Sequence, residues 1–251
     1  MAENIVLAEM TWPEVQEATV DRKAVALVPL GATEAHGPHL PLATATYLAI
    51  DAAKRTARKL KTHGVRALVF PNISYSVCER SADFPGTLAL SRPAAVTFLK
   101  EVAAAATKHF RAVAFVNTHF DPAHLEVLKQ VIDESKKAGV SACFVDLTRK
   151  RWAQQLGVVF QKGDHAGTFE TSAMMALNLP LVREHERISI PPMDGLVASM
   201  KGGAKTFRDA GGEDAYFGDP GAATIEDGEN ILEQISEICS VSVMEHLASK
   251  S

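Results

Sequence analysis

Short apolar runs alternate with amphipathic segments through the first 150 residues of the chain. Four runs of five to seven residues are almost entirely apolar, as expected for strands that are buried on both faces of a sheet. They occupy positions 24–30, 66–70, 112–116 and 141–145. Three segments with apolar residues at helical spacing lie between them, at 47–62, 92–110 and 122–138. This alternation predicts an α/β fold in which a largely parallel central sheet carries helices on both faces.

The beginning and the second half of the chain are less regular. Two further helices are predicted, a short one at 12–18 and a terminal one at 225–247, where isoleucines repeat at helical spacing. From 190 to 224, glycine, proline and acidic residues are so frequent that we expect an ordered, lid-like loop rather than a regular element. Neither an internal repeat nor a linker divides the sequence, so we predict a single domain that spans 1–251.

Composition and charge exclude several classes of partner. The 251 residues are 47% hydrophobic and 22% charged, with a formal net charge of -4 at pH 7. Because the chain has no long basic run, we expect neither nucleic acid nor a membrane surface as a partner. No segment resembles a secretory leader or approaches the roughly 20 apolar residues of a membrane span, so we expect a cytoplasmic protein. The three cysteines are far apart and are expected to be buried, reduced thiols: Cys78, Cys143 and Cys239.

Two pairs of polar side chains follow predicted strands. Glu34 and His36 come just after the first strand, and His119 and Asp121 follow the strand at 112–116. In an open parallel sheet the ligand site lies beyond the carboxyl ends of the strands, so the two pairs are expected to meet there. Within each pair the spacing is i, i+2, which brings both side chains to one side only in an extended segment. Carboxylates and imidazoles together suit zinc, manganese or iron, so these four residues predict a mixed metal site.

A third polar cluster lies in the stretch GDHAGTFETS at 163–172, which opens a predicted helix. On a single helix His165 and Glu170 would lie about 140° apart. If both face one site, His165 must therefore lie on the loop that enters the helix, where a histidine can move protons.

Substrate contacts are expected from loop residues around these clusters. His39 is expected either to face the substrate or to pack beside the site, and the sequence does not choose between the two. Three further loop residues are predicted to contact substrate: Glu79, Arg80 and Phe120.

Four motifs resemble the creatininase (creatinine amidohydrolase) family. They are PLGATEAHGPHLPLAT at 29–44, DFPGTLAL at 83–90, DHAGTFETS at 164–172 and YFGDPGAATIEDG at 216–228. The first and third are specific, and the other two are supportive. The resemblance implies a three-layer α/β/α fold, one or two divalent ions, a homo-oligomer that is often a hexamer, and hydrolysis of an amide or cyclic amide of a small molecule.

The resemblance also assigns roles to residues. Glu34, His36 and His119 match metal ligands of the family, and Asp121 stands where creatininase has a ligand glutamate. His165 matches the catalytic histidine, and Glu170 matches the acidic residue that assists it.

One position departs from the family pattern. Ala45 stands where the family has an aspartate that bridges two metal ions. Two divalent ions about 4 Å apart repel one another strongly unless shared oxygens lie between them. The sequence therefore favours one ion over two, and a second ion would need Glu170 or a hydroxide as its bridge.

These observations leave three functional hypotheses. The leading one is a metal-dependent hydrolase of a C–N bond, in which Glu170 or Asp121 accepts the proton of water and His165 donates one to the leaving nitrogen. The second is a one-metal enzyme that opens a lactone or cyclic ketone, or that isomerises its substrate. The third is a non-catalytic descendant that binds a small molecule or serves as a structural oligomer.

Overall fold

Four short parallel strands form the central sheet of the computed structural model, which describes residues 4–249. The strands are β1 (Val25–Leu30), β2 (Ala67–Val69), β3 (Ala112–Asn117) and β4 (Ala142–Phe144). Their order in the sheet is β2-β1-β3-β4, and β1 pairs with β3 from Val25 opposite Ala112 to Leu30 opposite Asn117. All three strand pairs are parallel, as predicted.

Ten α-helices accompany the sheet within residues 4–249. They are α1 (Trp12–Ala18), α2 (Thr44–Thr62), α3 (Arg92–Ala106), α4 (Pro122–Lys137), α5 (Lys150–Leu156), α6 (Val158–Gln161), α7 (Thr168–Asn178), α8 (Glu184–Ser189), α9 (Leu196–Lys201) and α10 (Ile225–Ala248). Short 3-10 helices occupy Leu7–Glu9, Val20–Arg22, Leu179–Leu181 and Pro220–Ala222. None of the helices in that range is both long and apolar enough to cross a membrane.

Alternate residues of β1 point into two separate hydrophobic cores. Ala26 and Val28 pack on one side with apolar residues of α3 and α4. Val25 and Leu27 pack on the other side with apolar residues of α2 and α10. The sheet is therefore the middle of three layers, which confirms the predicted α/β/α architecture.

Helix boundaries differ from the predicted ones by more than one residue at two places. Helix α2 begins at Thr44 rather than at 47, and the Thr44 hydroxyl donates to the carbonyl of Pro41 at 2.7 Å. Helix α3 ends at Ala106 rather than at 110, where the amides of Lys108 and His109 bond to carbonyls three residues earlier and the chain turns toward β3. Helices α5 and α6 lie in a stretch for which the sequence predicts no element.

The segment at 190–224 is more regular than the sequence predicts. It contains helix α9, which follows Gly195 in a left-handed conformation and buries Leu196 in a small apolar cluster with Phe207. The backbone of Met193 also pairs with that of Gly218 in both directions. The expectation of an irregular loop was therefore wrong at 196–201. Tertiary packing, which the local composition does not reveal, stabilises this short helix.

The carboxyl ends of β1 and β3 lie side by side and begin the two loops that carry the polar candidates. The Thr118 amide donates to the Leu30 carbonyl at 3.2 Å, and its hydroxyl donates to the Ala45 carbonyl. These bonds tie the end of β3 to the end of β1 and to the first turn of α2. Both polar loops are thus held at one edge of the sheet.

Candidate metal centre

Five titratable side chains from three parts of the chain converge beyond the strand ends. Glu34 and His36 lie on the loop after β1, and His119 lies on the loop after β3. His165 lies just before α7, and Glu170 lies in its first turn. All of them except His165 are at most 4% exposed, and the His165 side chain is 12% exposed.

Glu34 is the point at which the two strand-end loops meet. Its Oε1 lies 2.7 Å from Nδ1 of His119 and 3.8 Å from Nε2 of His36. Its Oε2 accepts a hydrogen bond from the Ser81 hydroxyl at 3.0 Å. One carboxylate oxygen is thus held by a hydroxyl, while the other faces two imidazoles.

Glu170 plays the corresponding part on the other side of His36. Its Oε1 lies 3.6 Å from Nε2 of His36, and its Oε2 lies 3.8 Å from Nδ1 of His165. The backbone amide of Ala166 donates to Oε2 at 2.7 Å and fixes the carboxylate. His36 therefore lies between two buried carboxylates.

The three histidines share one arrangement of ring nitrogens. Nδ1 of His36 lies 3.0 Å from the Glu34 carbonyl, Nε2 of His119 lies 2.8 Å from the Val77 carbonyl, and Nε2 of His165 lies 3.0 Å from the Ala35 carbonyl. A carbonyl oxygen only accepts, so each of these nitrogens carries a proton and donates it. In the neutral ring, the other nitrogen then presents its lone pair toward the carboxylates. Metal-binding histidines in proteins are oriented in this way.

The carboxylates and imidazoles shift one another's pKa values. Burial raises the pKa of Glu34 and of Glu170, but the neighbouring imidazoles outweigh it and bring both below the ordinary value. Burial lowers the pKa of His36 and of His119, yet the carboxylates beside them raise both, that of His119 strongly. Burial, together with the neighbouring His36, lowers the pKa of His165. The centre therefore attracts positive charge between its carboxylates.

These residues fit a divalent cation. Nε2 of His36 is buried and has no hydrogen-bond partner among residues 4–249, although it faces oxygens of both carboxylates. Two groups of three residues each offer ligand atoms that lie within 4.8 Å of one another: Glu34, Cys78 and His119, and His36, His165 and Glu170. Two ionised carboxylates with neutral imidazoles carry two negative charges, which one divalent ion balances.

A cavity of about 240 Å³ opens next to these side chains. Glu34, His119, His165 and Glu170 line it together with the partly buried Arg80. Its apolar wall comes from separate elements of the fold: Phe120, Phe160, Leu196 and Phe207. The site thus combines a polar end with an aromatic wall.

A family model described as Creatininase: Creatinine amidohydrolase matches residues 8–242. The chain belongs to the creatininase family. The chain is 30% identical over 217 residues to the mycofactocin precursor peptide peptidase of Mycolicibacterium smegmatis, which covers 85% of this chain and 82% of that protein. It is 26% identical over 218 residues to the creatinine amidohydrolase of Pseudomonas putida, which covers 77% of this chain and 82% of that protein.

Solved creatininase structures share the fold. A mutant creatininase of Zn-Zn type superposes with a TM-score of 0.74 at 22% sequence identity, covering 97% of this chain and 98% of that one. A structure described as Creatininase Mn gives a TM-score of 0.71 at 23% identity, with the same coverage. These comparisons confirm the family resemblance and the fold that it implies.

Three of the four metal ligands predicted from the creatininase resemblance lie together, and the fourth lies apart from them. Glu34, His36 and His119 converge. Asp121 lines the cavity, but its Oδ1 accepts from the Ala123 amide at 2.8 Å and its Oδ2 accepts from the Arg80 amide at 2.9 Å. Asp121 is the N-cap of α4, and its carboxylate is occupied by backbone donors. Its role as a ligand stays a prediction.

The expected substrate contacts divide in the same way. Arg80 and Phe120 line the cavity, whereas His39 and Glu79 are not among the residues that line it. His39 is fully buried with Nε2 at 2.9 Å from the Thr171 hydroxyl, so its surroundings are those of a packing residue. Glu79 is exposed and accepts two hydrogen bonds from the guanidinium of Arg92.

The sequence does not predict that three further buried residues lie at the centre. Ser81 holds Glu34, and Cys78 lies 3.7 Å from His119 through its Sγ and Nε2 of the ring. His124, on α4, lies behind His119 with ring centroids 4.9 Å apart and donates from Nε2 to Asn117. Cys78 and Ser81 come from an irregular loop, and His124 occupies an ordinary buried position of a helix, so no spacing marks them.

Proposed function

We propose that this protein hydrolyses an amide C–N bond of a small molecule in a reaction that depends on a divalent metal ion. The observation that carries the proposal is the convergence of two buried carboxylates and three histidines beside a small cavity. The names of the relatives support the same reaction class. An amidohydrolase and a peptidase both cleave amide bonds, although their substrates differ in size.

Glu34, His36 and His119 are the residues that would hold the ion, because their free donor atoms face one another. Zinc, manganese and iron all accept such a mixture of carboxylate and imidazole ligands. A bound divalent ion lowers the pKa of water and polarises a carbonyl oxygen, which is the chemistry that amide hydrolysis requires.

Glu170 and His165 are placed to move the protons of the reaction. The lowered pKa of Glu170 keeps it ionised at neutral pH, so it can accept a proton from water. Nδ1 of His165 lies 3.8 Å from Glu170 and borders the cavity, while its Nε2 is fixed by the Ala35 carbonyl. Because Nδ1 of neutral His165 carries no proton, we assign His165 the transfer of the proton that Glu170 takes from water to the leaving nitrogen, which could not otherwise depart as an amide anion.

The cavity indicates the class of substrate. Its volume of about 240 Å³ lies below the range of about 300–1,000 Å³ that drug-sized ligands occupy. Its aromatic wall suits a flat or apolar group, and the Arg80 guanidinium beside it forms no ion pair with any residue in the described range 4–249. We therefore propose a small amide that carries an anionic group, which Arg80 would bind.

Metal content and turnover test this function together. The protein is purified without chelator for elemental analysis, then stripped with chelator and resupplied with zinc, manganese or iron. We expect turnover of members of an amide and lactam panel only after metal is returned. A matched panel of lactones and cyclic ketones separates amide hydrolysis from the non-amide alternative. Metal-loaded protein that cleaves no member of the amide panel would contradict the proposal.

A further inference from the structure

Cys78 lies inside the metal centre, although the sequence gives it no role. The residue is completely buried, and its Sγ lies 3.7 Å from Nε2 of His119 and 3.7 Å from the Ser76 carbonyl. It packs in a small buried cluster with Ala32 and Ala45. The sulfur therefore occupies the space beside the methyl group of Ala45, where this chain provides no side-chain oxygen.

The surroundings of this sulfur point to a cation. One ligand atom from each of Glu34, Cys78 and His119 lies within 4.8 Å of the other two. The Glu34 oxygen that contacts His119 at 2.7 Å also faces Nε2 of His36 at 3.8 Å. That nitrogen is buried and has no hydrogen-bond partner among the described residues. The Glu34 carboxylate, the Cys78 thiol and the His119 imidazole thus lie together, and the His36 nitrogen faces the same carboxylate.

We propose that Cys78 is a metal ligand, and that its thiolate joins Glu34 and His119 around one divalent ion, with zinc preferred to manganese. The proposal rests on the proposed function, because it assigns a ligand to the same centre. On binding, the S–H proton passes to solvent and a metal–sulfur bond forms, with no change of oxidation state. Soft thiolate ligands select zinc, whereas manganese favours oxygen ligands.

Charge balance explains why a cysteine accompanies an alanine here. A thiolate at 78 and a carboxylate at 34 supply two negative charges, and the Glu170 carboxylate beside His36 supplies a third. A further carboxylate at 45 would add a fourth negative charge in a buried space, where unbalanced charge is costly. Cys78 is also absent from the residues that line the cavity, so its sulfur is placed to hold an ion and not to attack a substrate.

Cobalt(II) is the probe that reports a sulfur ligand directly, since zinc has a filled d shell and no such spectrum. The full-length protein is stripped with chelator and titrated with Co²⁺ alone. We expect visible d–d bands together with a near-ultraviolet sulfur-to-cobalt charge-transfer band. Cys78→Ser should lose the charge-transfer band and keep the d–d bands. Cys239→Ser, which changes another fully buried thiol on α10, should keep both.

Competition between metals gives a second readout. We expect Cys78→Ser to weaken Zn²⁺ binding by about tenfold or more and Mn²⁺ binding by less than about threefold. Equal losses for the two metals would overturn the proposal, as would d–d bands without a charge-transfer band or a charge-transfer band that survives in Cys78→Ser. Those results leave the proposed hydrolase intact. If the unsubstituted protein binds no cobalt at all, both the ligand assignment and the proposed function fail.

Discussion

Backbone carbonyls fix the tautomers of His36, His119 and His165 before any ion arrives. Each ring is held by a group that can only accept, so rotation of the ring would break a buried hydrogen bond. The lone pairs are consequently aimed at the carboxylates by the fold itself. This preorganisation reduces the rearrangement that binding of an ion would otherwise require.

The role of Glu170 is tested by Glu170→Gln. The amide oxygen can still accept from the Ala166 backbone, so folding and metal content should be retained. We expect kcat to fall by about 100-fold or more, because the variant has no carboxylate to accept the proton of water. Glu126→Gln, an equal change on the exposed surface of α4, serves as the control. Unchanged kcat in Glu170→Gln would remove this residue from the mechanism.

Arg80 is expected to act in binding and not in chemistry. In Arg80→Gln we expect KM to rise about tenfold for amides that carry a carboxylate, with kcat little changed. KM for neutral amides should stay the same, which makes the neutral substrates an internal control. A similar rise in KM for both kinds of substrate would mean that Arg80 shapes the cavity without pairing with a charge.

At the scale of elements, the side chains of the centre are brought together by the ends of two strands and the start of one helix. β1 and β3 end side by side, and the first turn of α7 brings Glu170 to the same place. Glycines allow the close contacts that this requires. A Cβ on Gly228 of α10 would lie 2.0 Å from the carbonyl oxygen of Ser172 in α7, so the two helices touch through backbone at this point.

Gly228→Ala should therefore separate α10 from α7. We expect the free energy of unfolding to fall by about 1–3 kcal/mol, since the added methyl group meets backbone that cannot rotate away. Asn230→Ala, at an exposed position of the same helix, adds no such contact and should change stability little. Denaturant unfolding of both variants measures the difference, and equal stabilities would contradict the close helix contact.

The carboxyl group of Asp164, at the entrance of α7, should make the stability of the fold depend on pH. Its carboxylate accepts from the amides of Gly167 and Phe169, while burial and the nearby Glu170 raise its pKa from 3.8 to about 8. An acid whose pKa is raised by folding favours the fold fully below its ordinary pKa of 3.8, and this contribution is lost progressively as pH rises from about 4 to about 8. We expect Asp164→Asn to increase Tm relative to the unsubstituted protein most at pH of about 8 and above, and progressively less as pH falls toward about 4. Asp133→Asn, exposed on α4, should show no such trend.

At the scale of the whole molecule, the proposed metal ion and bound protons would compete for the same centre. In the metal-free protein the raised pKa values of His36 and His119 give stability that is present below their ordinary value of 6.5. That contribution is lost as pH rises through the raised values. An ion bound there would replace these protons, so metal binding should release them and strengthen with pH.

Zinc should therefore raise Tm more at alkaline than at acidic pH. With zinc at about 100 times its Kd the expected stabilisation is about 2.7 kcal/mol, and chelator should reverse it. Thermal unfolding with and without zinc across the pH range measures this trend. A shift in Tm that is the same at every pH would mean that protons and metal occupy separate places.

Much of this architecture is readable from the sequence, because buried parallel strands appear as short apolar runs. The sheet and the meeting of Glu34, His36 and His119 follow from that pattern and from the rule that ligands lie at strand ends. Asp121 shows where prediction from the sequence stops. An Asp-Pro pair before a helix is typical of an N-cap, so the sequence alone does not tell an N-cap from a metal ligand at this position. The position of Cys78 at the centre and the helix α9 could not be predicted from the sequence, because both depend on tertiary packing.

The segment at 190–224 is clamped at its base by the backbone pairing of Met193 with Gly218, and it supplies Leu196 and Phe207 to the cavity wall. The ion-holding residues proposed here, in contrast, come from the loops at the sheet edge. Part of the cavity wall therefore comes from a segment that carries none of the proposed ion-holding residues, so this part can change while those residues stay the same. Replacing this segment with that of a relative should therefore change which substrates fit the cavity.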